Sequence, residues 1–323
     1  MSSGKLKISY ESEGFAANGQ VANGVAELVT SWNEVLWAAV TVGRPNRQYV
    51  FQHGNASAYE ALFRWSLTRM ALEQRSPAAY RLRRSDAAQT LDPSEKGAVS
   101  YFLGMTMAKL FSARLLNAPW VMHLDVFRPL LNPILVGRSR PDLVGMTNAG
   151  EWVVLESKGR ISAPNADAKN KAKIQAERLI SINGLAPALN IGAITYFRND
   201  ILHFFWRDPI REGRDPPNPI EVELADAAWR FYYQPVFDIV HSRLDVFQQM
   251  LMEPVLINLT EMDIQLGILP DVLRYLKEGQ WALAQKWCVE TQVSGRHTGY
   301  HQDGIRVVAG ESWLRPFEEF EAG

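Results

Sequence analysis

The chain has 323 residues, 47% of them hydrophobic and 21% charged, with 34 Lys plus Arg against 35 Asp plus Glu and a net charge of −1. This is ordinary globular composition, and it excludes a global basic field, so any nucleic-acid site has to be a local patch. A single cysteine, Cys288, excludes an internal disulfide and any four-cysteine zinc or iron–sulfur centre.

Residues 1–90 read as an N-terminal α/β region. Strands are expected at Leu6–Tyr10 and Tyr49–Gln52. Ser57–Glu73 is expected to be helical, with Tyr59, Leu62, Phe63 and Met70 near helical spacing. The basic stretch Arg81, Arg83, Arg84, followed by Ser85-Asp86, marks a boundary. Residues 91–210 open on Asp92-Pro93-Ser94-Glu95, which reads as N-cap, proline at the first helical position and a carboxylate at the third. The helix so started runs to about Leu116 and is apolar over much of its surface. Strands follow at Trp120–Phe127, Pro141–Met146 and Trp152–Ser157, then a helix at Ala166–Ile182. Two further strands, Asn190–Phe197 and Ile201–Trp206, are joined by the hairpin signal Asn199-Asp200.

Residues 211–323 begin with a linker, Glu212–Pro219, and read as a mainly helical C-terminal region. Phe237, Val240, Leu244, Phe247 and Leu251 form an apolar stripe, with a break expected at Pro235. One helix is expected over Asp271–Val289. The start of the chain lacks the apolar stretch of a signal peptide, and no run approaches the ~18 apolar residues of a membrane span. The expectation is a cytoplasmic protein with no membrane contact.

The segment from Arg140 to Arg160 carries the chemistry. Asn148-Ala149-Gly150 fits a three-residue hairpin loop with Gly150 in the left-handed position. That turn pairs Thr147 with Glu151, and counting outward puts Asp142 opposite Glu156 on one face. Lys158, two residues on, shares that face. The strand between is apolar on both sides, so it is expected to be buried. Two carboxylates and a lysine there are costly unless paired or bound to metal. A divalent cation relieves the repulsion of the carboxylates and gains oxygen ligands.

Pro141-Asp142, then Glu156-Ser157-Lys158 beginning fourteen positions after Asp142, resembles the signature of the PD-(D/E)xK nucleases. The order helix, three strands, helix, strand over roughly residues 92–206 resembles the restriction-endonuclease-like core of that superfamily. The resemblance implies an α/β fold with that core and a Mg²⁺-dependent endonuclease acting on DNA. It implies Asp142, Glu156 and the Ser157 backbone carbonyl as ligands of Mg²⁺ or Mn²⁺, with Lys158 acting on the attacking water. Glu95 corresponds to the acidic residue that many members carry on the first helix, or else it is half of a capping box with Asp92.

Candidate nucleic-acid contacts are Arg138 and Arg140 beside Asp142, and Arg160, Lys169, Lys173 and Gln175 after the catalytic strand. For each the plainer reading is a solvated loop or helix face. His123 and Asp125 lie two apart on the first strand and are assigned structural roles. His297, His301 and Cys288 are an incomplete set for zinc. For Asp142, Glu156 and Lys158 themselves the plainer reading is a cross-strand ion pair. The alternative function is a catalytically inactive subunit of the same fold that binds nucleic acid or a protein. A further reading is a partner-gated effector in bacterial defence, docked as a homo-oligomer or on a partner through the C-terminal helices.

Overall fold

The computed structural model describes residues 5–17, 19–42, 56–74, 79–133, 140–208, 216, 218–226, 228–244 and 256–317. Alternating burial makes Lys5–Glu13 (β1) and Gly24–Ser31 (β2) an antiparallel pair, with Leu6 and Ile8 in the core. Helices Trp32–Thr41 (α1) and Ala56–Ala71 (α2) follow. Two short strands, Leu72–Glu73 (β3) and Arg83–Arg84 (β4), follow, and a one-turn helix, Asp86–Thr90 (α3), leads to the long helix Pro93–Leu115 (α4). Then come Trp120–His123 (β5), Leu131–Asn132 (β6), Leu143–Met146 (β7), Trp152–Gly159 (β8), Ala166–Glu177 (α5), Leu179–Ile182 (β9), Leu189–Arg198 (β10) and Ile201–Arg207 (β11).

The main sheet is mixed and runs β2-β1-β11-β10-β8-β7-β5, with β3 and β4 attached at β11. β5, β7 and β8 form an antiparallel meander, β10 joins β8 in parallel, and β11 returns antiparallel to β10. Asn199 and Asp200 both have positive φ, 50° and 61°, as a two-residue hairpin turn requires. Helices α4 and α5 cover opposite faces of β8. A Cβ on Gly159 would lie 1.6 Å from the Ser100 carbonyl oxygen of α4. A Cβ on Gly192, beside Glu156 in the ladder, would lie 2.6 Å from the Lys173 nitrogen of α5. Both glycines let a helix backbone rest directly on the sheet.

The N-terminal region is not a separate addition. β1 pairs in parallel with β11, from Ser9 opposite His203 to Glu13 opposite Arg207. Phe204, Phe205 and Trp206 are buried on both faces of β11, so its outer edge needs cover, and β1 supplies it. The basic stretch expected as a boundary is β4, whose Arg83 pairs with Ile201 and whose Arg84 bridges Asp200 at 2.6 Å.

Two expected elements end early. β5 stops at His123, where the Nδ1 atom accepts from the Asp125 N–H at 3.2 Å and starts a 3-10 helix, Leu124–Leu130. Helix α5 stops at Glu177, and Leu179–Ile182 becomes β9 because it finds a partner in Ile220–Val222 (β12) within a small sheet ordered β6-β12-β9.

The C-terminal region is less helical than expected. Leu256–Leu259 (β13), Ile264–Ile268 (β14) and Ile305–Ala309 (β15) form a three-stranded sheet. Helix Ala228–His241 (α6) runs through Pro235 without a break. A helical proline costs about 3 kcal/mol, but Trp229, Tyr232, Tyr233, Val236, Ile239 and Val240 of α6 are all buried and hold it. The helix expected over 271–289 is two, Pro270–Lys277 (α7) and Trp281–Thr291 (α8), parted at Gly279 with φ 71°. In the apolar stripe, Val240 and Leu244 are buried and Phe237 packs edge-on to Trp281 at 5.7 Å. Phe247 and Leu251 lie outside the described residues, so the described part of the stripe faces the chain's own core and offers no docking face. One contiguous set of buried apolar side chains extends from Leu6 to Trp313, so boundaries at 90 and 210 do not separate cores. No helix among the described residues is long and apolar enough to cross a membrane.

Candidate active site

The turn at the end of β7 sets the site. Gly150 has φ 81°, the Thr147 N–H donates to the Glu151 carbonyl at 2.9 Å, and the ladder pairs Met146 with Trp152, Val144 with Val154 and Leu143 with Leu155. One step further places Asp142 opposite Glu156, as the period-two count expects. The Asp142 Oδ2 atom accepts from the Ser157 N–H at 3.0 Å, so this carboxylate reaches across to β8.

Glu156 is fully buried, and neither of its carboxylate oxygens accepts a directed hydrogen bond. The Lys158 ammonium lies against Oε1 as an ion pair, from a half-exposed position at the rim. Lys158 also donates to Gln175 Oε1 at 3.3 Å, and Gln175 Nε2 donates to the Arg140 carbonyl at 2.6 Å. Gln175 therefore holds the lysine instead of standing free for a ligand. Burial, then repulsion from Asp142, raises the Glu156 carboxyl well above its ordinary range. Burial also raises Asp142, against the pull of Lys158.

Asp142, Lys158 and Gln175 line a cleft of about 520 Å³ together with Tyr101, His123, Asp125 and Arg140, and Glu156 lies buried beneath its wall. Arg140 is buried and ion-paired to Asp125. His123 Nε2 lies 2.9 Å from the Tyr101 hydroxyl. Because His123 Nδ1 accepts from the Asp125 N–H, the neutral ring carries its proton on Nε2 and donates it to Tyr101. Burial pushes His123 down to about 4, which keeps the ring neutral in neutral solution. The phenolic proton of Tyr101 is then free to donate into the cleft. Burial, followed by the field of Asp142, raises the Tyr101 phenol, so it remains a donor.

Among the described residues, no group of three or more His, Cys, Asp or Glu side chains is placed to hold a metal by itself. The oxygen donors of Asp142 and Glu156 nevertheless suit a hard divalent cation, which takes one or two carboxylates and completes its shell with carbonyl, water or phosphate oxygens. The buried Oε2 of Glu156, which has no hydrogen-bond partner among the described residues, beside an Oε1 that meets only the Lys158 ammonium, is the feature such a cation would satisfy.

Other expected site residues fall elsewhere. Glu95 is exposed and closes a capping box: the Asp92 N–H donates to Glu95 Oε2 at 3.2 Å, and Asp92 Oδ1 accepts from the Ser94 and Glu95 N–H groups. The helix start uses this carboxylate, and it does not line the cleft. Lys169 bridges Glu11 and Glu13 on β1 and sits over the Phe205 ring at 3.9 Å. Lys173 is buried and bridges Asp208 at 2.7 Å. Neither is a free phosphate contact, because β1 and the end of β11 bring carboxylates to them that the local sequence does not reveal. Arg160 is exposed in a depression next to the cleft, and Arg138 lies outside the described residues. His301 stacks on Trp37 at 4.3 Å, and His297 lies against Trp287.

Sequence reasoning assigned His123 and Asp125 to structure and passed over Tyr101. A His-Asp pair at the end of the first strand was the available signal, and Tyr101, inside an apolar helix, gave none. No protein-family model matches the chain, and no curated protein or solved structure is significantly similar to it.

Proposed function

We propose that the chain is a metal-dependent nuclease of the PD-(D/E)xK kind that hydrolyses phosphodiester bonds in DNA. The observation that carries this is Glu156: a buried carboxylate whose Oε2 has no hydrogen-bond partner among the described residues and whose Oε1 meets only the Lys158 ammonium, one step beyond the β7–β8 ladder opposite Asp142, with Lys158 on the same face at the rim of a cleft. The order α4, β5, β7, β8, α5, β10, with β8 and β10 parallel, supports a restriction-endonuclease-like core.

Asp142, Glu156 and the Ser157 carbonyl would hold Mg²⁺ or Mn²⁺. When bound, the cation cancels the carboxylate repulsion and stabilises negative charge on phosphate oxygens. Lys158, steadied by Gln175, orients the water that attacks phosphorus, and its positive charge favours the charge that builds on the phosphoryl group. Tyr101 donates its phenolic proton to a phosphate oxygen, held in aim by His123. Arg140, fixed by Asp125, keeps positive charge at the cleft wall. Water adds to phosphorus and gives up a proton to solvent, the bond to one ester oxygen breaks, and that oxygen takes a proton from solvent as it leaves.

The Lys158–Glu156 ion pair favours one second reading, an inactive subunit in which the pair replaces the cation. Incubating the purified chain with plasmid and single-stranded DNA separates the two. The nuclease reading expects products with Mg²⁺ or Mn²⁺ and none with EDTA. Intact DNA under all of these conditions would support the inactive subunit.

A further inference from the structure

Helix α4 presents three sides to its surroundings. Val99 and Leu103 are buried behind it. At 100° per residue, Gly97 and Ser100, which line a depression together with Lys96, fall on one flank, Tyr101 in the middle over the cleft, and Phe102 on the other flank. On that second flank stands α2, with Tyr59 71% exposed and Phe63 51% exposed one turn apart on the same face. Phe63 meets Phe102 edge to face at 5.6 Å, and Phe102 meets Tyr101 at 5.4 Å. An aromatic row therefore runs from solvent, along α2, across α4 and into the cleft beside Asp142.

Single exposed aromatics are common, but a row that ends at a catalytic cleft is not accounted for by packing. The row is uncharged. The cation over its Phe102 ring, Arg64 at 5.7 Å, is buried and bonded to Glu60 and to the Val42 carbonyl. On the other flank of α4, Lys96 and Arg160 line the adjoining depression, which shares Gly97 and Gly159 with the cleft, and neither makes an ion pair among the described residues. One lip is thus basic and the other aromatic. Duplex DNA offers phosphates to both lips and keeps its base faces stacked inside. A single strand offers phosphates on one side and bare base faces on the other.

We propose that the chain takes single-stranded DNA, or the frayed or flapped end of a duplex, with bases stacked on Tyr59, Phe63 and Tyr101 and phosphates along Lys96 and Arg160. The proposal rests on the nuclease reading for the cleft's role, but its binding test does not depend on cleavage.

Fluorescence anisotropy of a short labelled single strand, and of a duplex of the same sequence, is measured in EDTA so that nothing is cut. The single strand is expected to bind at least about tenfold more tightly than the duplex. Tyr59→Ala and Phe63→Ala are each expected to weaken it about tenfold, within the range for a lost stacking partner. Phe63→Tyr should retain affinity, and quenching of a 2-aminopurine base in the strand should disappear in the double alanine variant. Circular dichroism and melting of the variants should match wild type, since both side chains are exposed.

Equal affinity for strand and duplex would overturn the proposal. So would unchanged single-strand affinity in the folded double variant, including the case where only Lys96→Ala and Arg160→Ala weaken it. Failure to bind either nucleic acid would overturn it too and leave the row as a face for a protein. Aromatic-dependent binding in a chain that never cleaves would sustain this inference while refuting the nuclease reading. Metal-dependent cleavage that ignores the aromatic variants would do the reverse.

Discussion

Glu156 is fully buried beside Asp142, and its carboxyl lies well above the ordinary 4.5 through burial first and that neighbour second. The folded chain therefore binds this proton more tightly than the unfolded chain does. The associated stability is fully present below the unfolded value and is lost as pH rises through the raised folded one. Glu156→Gln removes that loss. Its Tm is expected to exceed the wild-type Tm at pH 8, with the gap closing toward pH 5, and about 2 °C corresponds to each 1 kcal/mol relieved. Added Mg²⁺ should raise the wild-type Tm and leave that of Glu156→Gln unmoved. A variant that melts below wild type at pH 8 would mean that the Lys158 ion pair outweighs burial and repulsion together.

At the scale of elements, the site depends on how closely α4 lies on β8. Gly159→Ala would drive a methyl group into the Ser100 carbonyl, and the helix has to move away. Overpacking of this kind costs about 1–3 kcal/mol, sometimes more. Because Lys158 is the adjoining residue, the variant should lose both several degrees of Tm and most of its cleavage. Normal melting with normal cleavage would show that the α4–β8 contact does not set the site.

The parts of the site legible in the sequence are those fixed by local geometry. Asn148-Ala149-Gly150 and the alternation around it gave the register of Asp142 and Glu156, and Asp92-Pro93-Ser94-Glu95 gave the start of α4. The end of α5 was not legible, because Arg178 to Ile182 continues a helical spacing and only pairing with the distant β12 turns it into a strand. The charge partners of Lys169 and Lys173 come from β1 and from beyond β11, out of reach of any local pattern. Tyr101 is turned into the cleft by its hydrogen bond to His123, a residue on another element.

At the scale of the whole molecule, a buried polar tie joins four distant parts of the chain. Lys109 of α4 is fully buried and bonds the Tyr232 hydroxyl of α6 at 2.7 Å and the Pro119 carbonyl. Asp303, also fully buried, accepts from Tyr232 at 2.5 Å, from Trp37 Nε1 of α1 at 2.9 Å, and from the Ile305 N–H that opens β15 at 3.0 Å. Burial lowers the Lys109 ammonium, and Asp303 opposes that. Asp303→Ala leaves the lysine buried without its counter-charge, a loss on the order of 3–5 kcal/mol, so the Tm is expected to fall by about 6–10 °C. Wild type should melt in one transition, since a single core runs through all three segments that the sequence suggested. Two separate transitions would restore those segments as independent domains.

Lys158→Ala is the most direct test of the central claim that Asp142, Glu156 and Lys158 form a hydrolytic centre. Its rate is read on single-stranded DNA and plasmid with Mg²⁺, beside its melting curve. The lysine is half-exposed at the cleft rim, and in the proposed reaction it acts on water and phosphate, so cleavage should fall at least about 100-fold while the Tm stays close to wild type. Cleavage at the wild-type rate, or a collapse of the fold in place of a loss of rate, would contradict the account.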